Sequence, residues 1–302
     1  MTLPELSLRR LLVGFLMHHP GVLCSGNAKL RLLHSKDISH ELGSAAISAI
    51  GLFATKSSQK SGETPVTNAA PVPASVLEAL ARYDTPTICN AMEVIAPERR
   101  LIGYTTKPLV CPFPDLPPIV GYARTVTARA VTKSGLTAAE ASKRRIEYYE
   151  YMGTGSGPRI AVIQDIDGAD IGYGAFWGEV QSNVHKALGC LGVITDGSIR
   201  DIPQWAPGFQ ALAGSIGPSH AWTHAESFGG EVRVAGMTVK SDDLIHADRH
   251  GAIVIPYELA AKLPDACDLC GRRETPILEI ARSKDFSLEK LKDALKKSAE
   301  IH

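Results

Sequence analysis

Glu179 and the pair Arg200-Asp201 are separated by twenty residues, 180 to 199, in the stretch "GEVQSNVHKALGCLGVITDGSIRD". Two carboxylates and a guanidinium could share one pocket if the intervening chain folds back on itself. The spacing predicts that it does. Val180, Val184, Ala187 and Leu188 fall at i, i+4, i+7 and i+8, one apolar stripe of a helix over 180–188. Gly189 stands where a C′ residue belongs, and Leu191–Thr195 reads as a buried strand. If helix and strand pack antiparallel, the helix N-terminus and the strand C-terminus lie at one end. There the free N–H groups of Gly178, Glu179, Val180 and Gln181 make an anion cradle, and Arg200 and Asp201 open onto it. A small carboxylate substrate fits the N–H groups and the Arg200 fork. A hard divalent cation such as Mg²⁺ fits Asp201 with water, because it takes one or two carboxylates and lets the substrate complete its shell. Each ingredient is also an ordinary device: a glutamate in a first helical turn complements the helix dipole, and adjacent Arg-Asp is a common surface ion pair.

Other motifs carry less. Gly153-Thr-Gly-Ser-Gly157 precedes a strand-like run, Ile160–Gln164, rather than following one, and no Lys-Ser/Thr closes it, so it reads as a loop and not a phosphate cradle. Asp165-Ile-Asp-Gly-Ala-Asp170 lacks the length and the distal glutamate of a calcium loop and reads as a strand exit. His246 and His250 flank a turn before strand Ala252–Ile255, so they read as structural histidines. Cys267 and Cys270 form a single CxxC, read as buried helix thiols. No GxSxG elbow is present.

The chain that must position these residues has 302 amino acids, 44% hydrophobic and 21% charged, enough for a sizeable core. Lysine plus arginine and aspartate plus glutamate are both 32, which removes the electrostatic case for a nucleic-acid partner. No stretch approaches the ~18 apolar residues of a membrane span. The six scattered cysteines fit reduced thiols of an intracellular protein. Residues 1–56 form an extension, and positions 1–60 of the chain hold seven basic against three acidic residues, a composition that fits a mitochondrial presequence; a cytoplasmic location is the other expectation. Residues 57–75 read as a polar, proline-containing linker, and 76–302 as the folded domain. In that domain Ser75-Val-Leu-Glu78 reads as a capping box opening a helix to about Arg82. Thr85-Pro86 opens a second helix through Ile95, and Pro108–Pro118 is a loop. Val120–Val131 and Val232–Val239 read as strands. Tyr257–Cys270 and Glu274–Ser283 read as helices, followed by an amphipathic one bearing Leu288, Leu291 and Leu295. Strands interleaved with helices argue for an α/β domain.

"WGEV" with "HKALGCLGVITDGSIRD" resembles the regulator-of-ribonuclease-activity-A-like family, whose enzymatic branch contains the 4-hydroxy-4-methyl-2-oxoglutarate / 4-carboxy-4-hydroxy-2-oxoadipate aldolases. "YDTPTICNAME" (83–93), "VGYARTVTA" (120–128) and "SDDLIHADRHGAIVIP" (241–256) extend the likeness over about residues 76–285. The resemblance implies a layered α/β/β/α fold and a homotrimer, or a hexamer of trimers, with sites near subunit interfaces. It implies a class II lyase: a Mg²⁺ or Mn²⁺ ion on Asp201, substrate on Arg200, and the pyruvate carboxylate on the Gly178–Gln181 backbone. Glu179 sits where some members carry aspartate, as a metal-shell or proton-transfer acid. Retro-aldol cleavage of a 4-hydroxy-2-oxo acid is then the expected reaction, with oxaloacetate decarboxylation through the same enolate. The chain departs from the pattern at Gln204, where several members carry an acid, and Glu274 is the candidate for an acid lent to a neighbouring subunit. The family's namesake branch implies the alternative, a non-catalytic regulator acting by protein contact. A menaquinone-pathway methyltransferase finds no glycine-rich cofactor turn in a suitable context.

Overall fold

A long, almost wholly buried strand organises the molecule. In the computed structural model, which describes residues 71–302, β1 (Ile119–Arg129) pairs on one edge, in parallel, with β2 (Arg159–Asp165). Its other edge is shared by two antiparallel strands from far along the chain: β11 (Leu244–Asp248) against residues 119–122, and β8 (His224–Phe228) against 126–129. β2 continues in parallel to β4 (Cys190–Thr195), and β4 to β6 (Gln210–Leu212). β12 (Gly251–Ile255) closes the far edge as a hairpin with β11. The seven-stranded sheet so formed is mixed.

Its two faces follow from strand alternation. Ala161 and Ile163 of β2 face helices, while Ile160 and Val162 face the hairpin of β9 (Val232–Val234) and β10 (Met237–Val239). On the helical side, α1 (Ala74–Leu80), α2 (Thr85–Ile95) and α6 (Leu263–Arg282) cover Val120, Tyr122, Leu244 and Ile253. α3 (Ala138–Gly153) contributes Tyr148 and Met152 over Val126, Ala161 and Val193. α4 (Glu179–Ala187) runs beside β4, and α5 (Tyr257–Ala260) and α7 (Leu288–Ala299) complete the C-terminal end. A second, three-stranded parallel sheet has the order β3 (Ala175–Trp177), β5 (Ser198–Ile199), β7 (Ser215–Ile216). The chain is thus mixed α/β, and the described residues lie in one compact unit. The extension at 1–56 and most of the linker fall outside the described residues.

Several local expectations are corrected. Ser75 does not cap α1, which starts at Ala74 after Pro73 and ends at Leu80. Asp84, not Thr85, caps α2, its carboxylate accepting the Thr87 N–H at 2.9 Å, and Pro86 follows inside the first turn. Val232–Val239 is two strands, because Ala235 and Gly236, at φ 47° and 90°, turn the chain between them. The two helices expected over 257–283 are instead short α5 and a continuous α6 that runs through Pro276. The stripe of Val180, Val184, Ala187 and Leu188 is not the buried face of α4: Ser182 and His185 are buried, and Val180 is 69% exposed. α3 had no counterpart in the sequence reading, although Thr137 and Glu140 form its capping box.

Candidate active site

The opening turn of α4 is set by the three-stranded parallel sheet. Trp177, fully buried at the end of β3, accepts the Arg200 N–H on its carbonyl at 2.9 Å. That bond brings the residues after β5 against the start of α4. Arg200 and Asp201 therefore do not issue from β4 directly; Asp196 and Gly197 turn the chain into β5 first. Asp201 takes a left-handed conformation, φ 55° and ψ 38°, and the Glu179 N–H donates to its Oδ2 at 3.3 Å. The Arg200 Nε lies 3.5 Å from the same oxygen, and both side chains are about one-third exposed, 34% and 39%. Gly178, the N-cap, is buried, and a Cβ built on it would stand 2.4 Å from Asp201 Oδ2 and 3.2 Å from Arg200 Cγ.

Gly178, Glu179, Arg200 and Asp201 thus converge, with Glu179 and Val180 exposed and Gln181 half-buried on the same turn. The expected cradle is altered in one respect: the Glu179 N–H is engaged by the Asp201 carboxylate, which caps the helix from across the chain. The Gln181 side chain turns away towards α3, where Tyr149 donates to its Oε1 at 3.3 Å. Its carbonyl accepts from His185 Nδ1 at 2.8 Å, which leaves the His185 Nε2 to accept from the Tyr148 hydroxyl at 2.6 Å. Burial pushes His185 down to about 4, so it stays neutral.

Hard oxygen donors open to water are what the site offers a metal. Among the described residues no cluster of three or more histidine, cysteine, aspartate or glutamate side chains is arranged to hold one. A fully protein-ligated ion of the zinc type has no ready-made site among the described residues. A Mg²⁺-like ion that keeps most of its water and takes one or two carboxylates fits Asp201, with Glu179 exposed nearby.

Three further carboxylates went unnoticed as a group in the sequence. Asp165 Oδ1 and Oδ2 accept the N–H groups of Asp167 and Gly172, Asp196 Oδ1 accepts that of Asp165, and Asp167 Oδ2 those of Ala130 and Val131. Burial pushes Asp196 up to about 6 and raises Asp165 as well. For Asp165 and Asp167 the signal is the acidic rhythm of 165–170, whose burial no spacing reveals; Asp196 has no such signal. His246 proves structural, held between the Thr85 hydroxyl at 3.1 Å and the Tyr83 carbonyl at 3.0 Å, while His250 sits in the β11–β12 turn against Asp248. Cys267 and Cys270 are buried in α6, where burial pushes Cys267 up to about 12. Glu274 also lies on α6.

The mixed sheet with helices on one face defines the class of fold, and comparison with known proteins places it. The chain belongs to the RraA-like family (Aldolase/RraA), whose model matches residues 85–254. Among solved structures it is similar to an uncharacterized protein from Pseudomonas syringae pv. tomato str. DC3000, at 20% identity over 75% of this chain and 99% of that one, with a TM-score of 0.55. It is also similar to Streptomyces coelicolor RraAS2, described as an unusual member of the RNase ES inhibitor RraA protein family, at 19% identity over 72% and 100% of the two chains, with a TM-score of 0.53. At these identities the likeness establishes the fold. No curated protein matches.

Proposed function

We propose that the chain is a divalent-metal-dependent carbon–carbon lyase that releases pyruvate from 4-hydroxy-2-oxo acids by a retro-aldol reaction and decarboxylates oxaloacetate at the same centre. One observation carries this reading: Arg200 and Asp201 are packed against the first turn of α4 so tightly that Gly178 leaves no room for a Cβ. The Val180 and Gln181 N–H groups receive the substrate carboxylate. The Arg200 guanidinium forks onto the keto oxygen, where negative charge gathers as the C3–C4 bond breaks. The Glu179 carboxylate takes the proton from the 4-hydroxyl as that carbon becomes a carbonyl, and a proton is returned to C3 to give pyruvate. Asp201, with Glu179 beside it, would hold a Mg²⁺ or Mn²⁺ ion, whose contribution when bound is to polarise the keto group. With oxaloacetate, CO₂ leaves in place of the second carbonyl product. The family resemblance also supports a homotrimer or a hexamer of trimers.

A lactate dehydrogenase-coupled assay on the full chain, offered oxaloacetate and a panel of 4-hydroxy-2-oxo acids, tests the reading. Pyruvate release is expected to need Mg²⁺ or Mn²⁺ and to stop with EDTA. Arg200→Ala is expected to lower kcat/KM by roughly 10²–10³-fold, the cost of one lost charge-stabilising donor, and Asp201→Asn to abolish the metal response. Full turnover in EDTA, or in Arg200→Ala, would overturn it. The bond from Glu179 N–H to Asp201 favours a second reading, in which the couple is only a helix cap and the chain is a non-catalytic regulator acting by protein contact. In that case pyruvate appears no faster than in the protein-free control under any metal condition.

A further inference from the structure

A cavity of about 670 Å³ lies between α3, the 133–136 loop and the 220–225 segment. Neither Arg200 nor Asp201 lines it; the one residue it shares with the α4 opening turn is Gln181. Its walls are aromatic, from Tyr148, Tyr149, Phe176 and Trp222, and Lys133 and Arg145 stand at its rim. Charge there is one-sided, since no aspartate or glutamate lines it. Arg144, also in the lining, is spent on the carbonyls of Ala225 and Glu226. Arg145 is exposed and makes no ion pair among the described residues, and Lys133 Nζ rests 4.4 Å from the Trp222 ring centroid. Trp222 itself is 56% exposed, a large aromatic face turned partly to solvent and partly to the Lys133 ammonium.

Ring faces and uncompensated positive charge in one concavity select for a ligand that is flat and anionic: the ring buries against tryptophan and tyrosine, and the carboxylate meets guanidinium and ammonium. We propose that this cavity is a second small-molecule site, for a planar aromatic carboxylate. It does not rest on the lyase reading: Gln181 is the one residue common to both, and neither Arg200 nor Asp201 reaches the cavity.

Titration calorimetry and tryptophan fluorescence on the full chain, with 1-naphthoate as the probe, test the site. One saturable event is expected, with 1-naphthalenemethanol and adipate each at least about tenfold weaker, since the first lacks the charge and the second the ring. Arg145→Glu and Lys133→Glu, both surface changes, are each expected to weaken naphthoate about tenfold with an unchanged melting temperature. Asp201→Asn is expected to bind it as the parent does, whatever happens to pyruvate release. Absence of saturable binding overturns the proposal. So does equal affinity for the neutral or the aliphatic probe, indifference to both charge reversals, or loss of binding in Asp201→Asn, which would move the ligand to the other centre.

Discussion

At Gly178 the backbone is extended, φ −165°, a conformation any residue adopts; space alone excludes a side chain. A methyl there meets Asp201 Oδ2 at 2.4 Å. Gly178→Ala is therefore expected to push the carboxylate off the Glu179 N–H, cutting pyruvate release by on the order of 10²-fold while the melting temperature shifts little; steady-state kinetics beside a thermal melt would check both. A variant as active as the parent would mean that the placement of Asp201 is irrelevant to turnover. Asp201 adds a second local cost, since it holds a left-handed φ of 55°, worth about 1 kcal/mol or more in an L-residue. The twenty-residue interval from Glu179 to Arg200 was legible in the sequence. Which N–H the carboxylate occupies was not, because that depends on β3 and β5, strands of three and two residues with too little pattern to read.

Between elements, α3 and α4 are tied by polar side chains where a sequence reader looks for an apolar stripe. Tyr148, 3% exposed, donates to fully buried His185, which holds the Gln181 carbonyl one turn earlier. Tyr148→Phe leaves the imidazole Nε2 buried without a donor and is expected to cost about 1–3 kcal/mol, measured by urea unfolding; a neutral result would mean that water reaches the ring. This tie explains why the amphipathic reading of α4 was half right. Its extent and its C′ glycine at φ 86° came through, but the buried face did not, because Ser182 and His185 satisfy their polar atoms internally: Ser182 Oγ donates to the Glu179 carbonyl at 2.9 Å. Capping signals were equally double-edged. Ser75-x-x-Glu78 and Thr137-x-x-Glu140 look alike as strings, yet only the second forms the reciprocal box. The family resemblance, resting on ordered stretches along 76–285, was what made the overall architecture readable.

For the whole molecule, half-buried Asp196 and buried His185 pull stability in opposite directions. Folded Asp196 keeps its proton up to about pH 6 while the unfolded side chain releases it near 3.9, so its contribution is complete at low pH and is lost as pH rises through 6. Folded His185 stays neutral down to about 4 while the unfolded ring is protonated below about 6.5, so its contribution is lost as pH falls through that window. The two offset each other between pH 4 and 6. Asp196→Asn, which keeps an acceptor for the Asp165 N–H, is expected to leave the histidine slope uncovered. Its melting temperature should then climb with pH across 4–6 more steeply than the parent's, as read by calorimetry; parallel curves would show that Asp196 titrates normally.

β1 is complete on one side only when residues 224–248 have arrived, because β8 and β11 divide that edge between them. On the ribosome, an eleven-residue strand that ends almost wholly buried must therefore wait, half matched, for about a hundred more amino acids to emerge. Until then it is a template for any stray strand. A cell that starves or stalls during translation of this message should accumulate nascent chains that stick to one another or to chaperones, and synthesis slowed before codon 224 should be more harmful than the same delay after codon 256.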